Sequence, residues 1–253
     1  MFPRKIRVCE LFGIPVYLDF SLVILLVMFI MDFGSFTYGL SFALALAVSI
    51  TLHELGHSLM ARSFGYNARE ITLSLLGGCA SFINLPRKAS QEFLTAIAGP
   101  AVSFAIAGLA WISLVYLPVS NPWTANVLVY TFWMNVMLGG FNLLPGFPMD
   151  GGRIFRSVAR LFTTRAKATY VAMIVGRGFA ILLGLRGLHS LVTGGGWGFV
   201  SLLIAWMIWR EGWREYQQTL VDEQWDSRWD WSARVSPPPY GGDENDVEVR
   251  RRR

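Results

Sequence analysis

Apolar residues in this chain gather into long runs separated by short polar or turn-rich stretches, without the alternation of a half-buried sheet or the single stripe of a soluble amphipathic helix. A helix that crosses the roughly 30 Å hydrocarbon core of a bilayer needs about 20 mostly apolar residues. Six runs approach that length: 16–32, 38–62, 92–117, 124–143, 168–192 and 197–211. The fifth carries Arg177 and Arg186, which must face a protein interior or a polar cavity. The sixth is short but ends in Trp206, Trp209 and Trp213, side chains that favour a membrane interface. Residues 70–86 are β-rich, contain Gly77-Gly78 and close at Pro86, which predicts a short hairpin or re-entrant strand pair. The pattern predicts an all-α polytopic membrane protein of six transmembrane helices with a small β element on the cytoplasmic side.

Composition agrees. Of 253 residues 53% are hydrophobic and 15% charged, against about a quarter charged in soluble domains. Residues 1–213 hold 15 bases and 8 acids, and residues 214–253 hold 7 bases and 9 acids. The bases concentrate in the N-terminal arm (Arg4, Lys5, Arg7), in 62–91 and in 153–167, while the turns near 33–37, 118–123 and 193–196 have none. That asymmetry places both termini in the cytoplasm and requires an even number of spans. The expected compartment is the plasma (inner) membrane of a prokaryote, with the protein multi-pass in the lipid bilayer. Basic charge spread over loops is no nucleic-acid footprint, so nucleic acid is excluded as a partner. The expected organisation is a cytoplasmic arm at 1–15, a six-helix domain at 16–213 and a tail at 214–253, expected to be disordered from its Pro237–Pro239 run, acidic stretch and terminal arginines, with a helical extension of the sixth run before it as the open alternative. Asp19 and the absence of a small-residue cleavage site make the first run a retained helix rather than a signal peptide. Cys9 and Cys79 are expected as free thiols.

The second run contains His53-Glu54-Leu55-Gly56-His57. Histidines at i and i+4 lie on one helix face, so both imidazoles can reach a single Zn²⁺, and Glu54 can take the proton of an attacking water. Two of the three histidines in the chain sit in this motif, inside a run whose one other charged residue is Arg62 at its very end; such groups are costly in a membrane unless they have a function. The bland alternative is a hydrogen-bonded polar cluster that holds helices together. A catalytic zinc site wants a third protein ligand. Asp150 is the best candidate, because Pro145, Gly146, Pro148, Gly151 and Gly152 break the helix around it while apolar residues persist on either side, and broken backbone at membrane depth is tolerated where it lines a cavity. An N-cap role for Asp150 is the competing reading.

These pieces resemble the site-2 protease family of intramembrane zinc metalloproteases: His53–His57, Gly77-Gly78, Ala98-Gly99-Pro100, and Asn142 through Asp150-Gly151-Gly152-Arg153, over about residues 10–210. The resemblance implies one zinc ion per chain held by His53, His57 and Asp150, Glu54 as catalytic acid and base, and Asn142 as a polar group near the scissile peptide that donates to the oxyanion. It implies transmembrane proteins as substrates. The chain departs from the family's pattern at Asp19 and at Ser103, where many relatives carry histidine and asparagine, and no loop is long enough for a PDZ domain. Two other classes stay open on residues alone: a metal or solute transporter using the same intramembrane His and Asp residues, and a non-catalytic zinc-binding scaffold. The first would show two similar halves with paired broken helices; the second has no need of Glu54.

Overall fold

The computed structural model describes residues 5–32, 35–74, 77–82, 88–194 and 198–228. In chain order the elements are β1 (Lys5–Leu11), β2 (Ile14–Asp19), α1 (Phe20–Asp32), α2 (Phe36–Ser63), β3 (Ala68–Ser74), β4 (Gly77–Phe82), α3 (Ala89–Tyr116), α4 (Pro122–Asn142), α5 (Asp150–Ala159), α6 (Arg165–Val192) and α7 (Gly198–Arg228). Among the described residues three helices, α2, α3 and α6, are long and apolar enough to cross a membrane.

Three expectations need correction. The chain is mostly helical but not all-α, because four strands form one sheet in the order β1-β2-β3-β4. The expected strand pair in 70–86 exists as the antiparallel β3 and β4, and the N-terminal arm adds a second hairpin through a parallel β2–β3 pairing. Phe12 and Gly13, both at positive φ (51° and 81°), make its two-residue turn, as hairpins of this length require. The run at 16–32 is therefore not one spanning helix. Its first four residues belong to β2, and α1 has only 13 residues, about 20 Å at 1.5 Å per residue. Finally, the boundary at 213 falls inside α7, which stays helical to Arg228, the helical extension of the sixth run left open above; the rest of the tail lies outside the described residues.

The sheet is tied to the helices by a cluster that buries Ile14 and Val16 of β2, Ile71 and Leu73 of β3, Leu22 of α1, and Ile50 and Leu55 of α2. Each strand contributes every second residue, so one face of the sheet lies on α2. The same helix ends sharply soon after His57: Gly65 at φ +85° accompanies bonds from its N–H to the Arg62 carbonyl and from the Tyr66 N–H to the Ala61 carbonyl, the Schellman pattern that turns a helix into the following strand. Asn121 caps α4 and Thr164 caps α6. Helices α2, α3 and α4 pack on one another, α5 packs on α3 and α6, and α6 pairs with α7. Arg177 meets the requirement placed on it: its guanidinium lies 4.5 Å from the ring centre of Trp209 and 5.2 Å from that of Trp213, where aromatic faces stabilise a cation away from water.

Candidate metal centre

The centre is built where two helix stripes meet. On α2, Ser49, His53 and His57 recur every fourth residue; on α3, Thr95, Gly99 and Ser103 do the same, and all but Gly99 carry polar groups. The His57 Nδ1 lies 2.7 Å from the Thr95 carbonyl oxygen, and the His53 Nδ1 lies 2.9 Å from the Ser103 hydroxyl. A carbonyl only accepts, so Nδ1 of His57 carries the proton and its Nε2 presents a lone pair. Both Nε2 atoms point to one spot: they are 3.2 Å apart, and each is 3.1 Å from Asp150 Oδ2.

The structure therefore brings together His53, His57 and Asp150, all buried, although the aspartate lies 93 and 97 positions away in sequence. Three acceptor atoms facing one another at such distances call for a shared positive charge. Two imidazole nitrogens and a carboxylate oxygen are a zinc donor set, and tetrahedral ligands at about 2.0–2.1 Å from an ion stand roughly 3.3 Å apart, close to the spacing observed. These residues fit zinc and are positioned to bind it.

Glycine makes the approach possible. A Cβ on Gly99 would lie 2.2 Å from His57 Nε2 and 2.8 Å from His53 Nε2, so the imidazoles rest directly on the α3 backbone. At the start of α5, a Cβ on Gly151 would lie 2.2 Å from the Leu144 carbonyl oxygen; the chain folds tightly there to swing Asp150 inward. Glu54, His57 and Asp150 line a cavity of about 350 Å³ together with Ser74, Asn142 and Arg153, and α7 supplies its far wall through Ile204, Ile208, Glu211, Arg214, Glu215 and Gln218. Asn142 thus shares the cavity with the metal cluster, while its Nδ2 donates to the Leu138 carbonyl at 3.0 Å.

Sequence reasoning missed Thr95 and Ser103, which hold the imidazoles, and the α7 wall. Ser103 had a signal, its place four residues after Gly99 on α3 opposite the same spacing in α2, but Thr95 acts through its backbone carbonyl and had none.

Comparison with known proteins gives the same answer. Residues 41–126 and 120–185 match Peptidase family M50, which takes in His53–His57 in one segment and Asn142 and Asp150 in the other. The fold is similar to that of a site-2 protease from Methanocaldococcus jannaschii, with a TM-score of 0.65 and 30% identity over 84% of this chain and 95% of that one. In sequence the chain is 38% identical to a zinc metalloprotease of the same archaeon over 74% of its own length, and 34% identical to a putative zinc metalloprotease of Synechocystis over 87%. It spans 55% and 62% of those two relatives. With the metal cluster, the glycines that admit it and both motif segments inside the matched regions, the chain belongs to peptidase family M50, the family of site-2 proteases.

Proposed function

We propose that the chain is a zinc-dependent endopeptidase that cleaves peptide bonds within or beside transmembrane helices of other proteins. The observation that carries this reading is the convergence of His53, His57 and Asp150 into one cluster at a cavity that His57 and Asp150 line together with Glu54, a carboxylate outside the three-atom cluster. His53, His57 and Asp150 would hold one zinc, which when bound supplies Lewis acidity toward water and a peptide carbonyl. Glu54 takes the proton from the attacking water and returns it to the leaving amine. Asn142, once turned from the Leu138 carbonyl, donates to the oxyanion as the carbonyl becomes tetrahedral. Transmembrane substrates hide their carbonyls in helical hydrogen bonds, so the bond to be cut must first be drawn out; β4, an edge of the sheet, offers backbone groups to an extended segment by strand addition.

In this reading α2, α3 and α6 cross the bilayer and α4 and α7 accompany them. The short connection at 117–121 leads from α3 into α4, which packs on it, and α7 packs on α6, which supports the six-pass arrangement with α1 as a short first member. The sheet, the α5 region and both termini face the cytoplasm. Residues 16–213 with the α7 extension form the catalytic unit, and the remaining tail follows it. One cluster of potential ligands among the described residues favours hydrolysis over solute transport, which calls for paired broken helices.

The test is co-expression with tagged single-span proteins. Glu54→Gln removes the base and none of the metal donors, so cleavage falls by about 10²–10⁴-fold while zinc content stays at the wild-type level. Undiminished turnover would refute the mechanism.

A further inference from the structure

Behind the metal cluster lies a second buried polar assembly. Arg156, in the last turn of α5, has a side chain only 4% exposed. Its Nε and Nη2 reach Glu92 Oε1 at 2.7 and 2.5 Å, and its Nη1 donates to Glu215 Oε1 at 2.7 Å. Its guanidinium carbon stands 4.8 Å from the ring centre of Phe147. Arg160 approaches the second Glu92 oxygen at 3.3 Å. Glu92 opens α3 and Glu215 lies on the polar extension of α7. Burial alone would raise the Glu215 carboxyl, but Arg156 and Arg153 pull it below the ordinary carboxylate range.

A buried ion pair adds little net stability, because desolvation offsets most of the attraction. What a planar guanidinium fork fixes is geometry. Glu92 stands one turn ahead of Thr95, which holds His57, and on the same helix as Ser103, which holds His53. Arg156 stands six residues beyond Asp150 on the helix that Asp150 begins. Phe147 belongs to the 143–149 connection that delivers Asp150. The helix that orients both imidazoles and the helix that supplies the carboxylate are therefore joined through one side chain.

We propose that Arg156 is a positioning residue of the metal centre, setting the distance of Asp150 from the two histidines through its fork on Glu92 while touching none of the three. The proposal rests on the zinc reading of the centre. It predicts that loss of the fork loosens zinc and slows the reaction even in a chain that folds.

The full chain in detergent is assayed for zinc retention against graded chelator, for the absorption bands of its cobalt(II) form, which report ligand geometry, and for thermal unfolding. Arg156→Lys keeps the charge but cannot serve Glu92 and Glu215 as a planar fork; zinc retention is expected to fall by about 10–100-fold, as for other groups that orient ligands, with altered cobalt bands and with kcat reduced at a KM within about twofold of wild type. Arg165→Gln removes the 3.5 Å pair with Asp222 and is the structural comparison: it lowers thermal stability and leaves zinc retention and cobalt bands unchanged. Should Arg156→Lys fail to fold, Glu92→Gln replaces it with the same expectation, since the neutral amide fills the same space but gives up the charge-assisted pairing with Arg156 and Arg160 that holds the fork. Unchanged retention and bands in either folded variant would overturn the proposal, as would an equal loss in Arg165→Gln. Failure of the wild-type chain to hold zinc would overturn the proposal and the reading of the centre together, which separates the two outcomes.

Discussion

Replacing Gly99 with alanine adds a single methyl group at the point where α3 touches both imidazoles. The new carbon would sit 2.2 Å from His57 Nε2, 2.5 Å from its Cε1 and 2.8 Å from His53 Nε2, against the 3.4 Å at which ordinary contact begins. Relief requires the His57 ring to retreat by about 1.2 Å. The ring has little freedom to do so, because its Nδ1 is bonded to the Thr95 carbonyl one turn earlier on the same helix. If α3 retreats instead, the Thr95 and Ser103 bonds lengthen together. Metal sites tolerate errors of only about 0.2 Å, and a misplacement of about 1 Å in a reacting group costs on the order of 100-fold, equivalent to about 2.7 kcal/mol. Gly99→Ala is therefore expected to lower zinc retention and cleavage by about 100-fold or more. Gly108→Ala, on the same helix with nothing within 4 Å of the added carbon, gains helix propensity of about 0.5–1 kcal/mol and keeps full activity. Zinc content measured by metal analysis after dialysis, beside cleavage of a single-span substrate, decides the matter. A folded Gly99→Ala with wild-type zinc and turnover would show that the imidazoles do not rest on α3 as described.

Two further outcomes follow from the same geometry. Asp150→Ala is expected to lose zinc and activity together, whereas Glu70→Ala, which removes only the Lys5 pair on the sheet, keeps both; the opposite pattern in metal analysis would remove Asp150 from the centre. In a background lacking Cys9 and Cys79, cysteines at Ser35 and Asn121 are expected to react with an impermeant thiol reagent added outside the cell, and one at Ala166 is not. Reversed labelling would invert the proposed topology.

The helices were largely legible because apolar runs announce themselves. The runs at 38–62, 92–117, 124–143 and 168–192 lie within three residues at each end of α2, α3, α4 and α6. The first run misled because only Asp19, which accepts from the Ser21 N–H, separates Val16, Tyr17 and Leu18 from the apolar helix after them, and periodicity alone does not separate a short buried strand from a helix. Strand β1 escaped notice for another reason: Lys5-Ile6-Arg7-Val8 alternates polar with apolar for only four residues before Cys9, where the register shifts, and the strand is exposed through Glu10, so no half-buried face announces it. The extension of α7 was legible only as an alternative to a disordered tail, because it is polar. Yet Glu215, Thr219 and Asp222-Glu223 recur at helical spacing, and they meet Arg156, Thr169, Arg165 and the Ala166 N–H respectively. At the metal centre the cluster of His53, His57 and Asp150 was readable from motif chemistry. The groups that orient them were not, since a backbone carbonyl has no sequence signature and a serine becomes informative only when its helix face is known.

The 93 positions that separate His57 from Asp150 also set an order in time. A ribosome adds about 5–20 residues per second, so the histidine pair is made roughly 5–20 s before the carboxylate that faces it. During that interval the growing chain holds two imidazoles and a glutamate but no third donor, and α3, which holds both Nδ1 atoms, is only then being synthesised. In the proposed reading the centre is therefore assembled last, when α5 delivers Asp150, so that chemistry would begin only with a nearly finished chain.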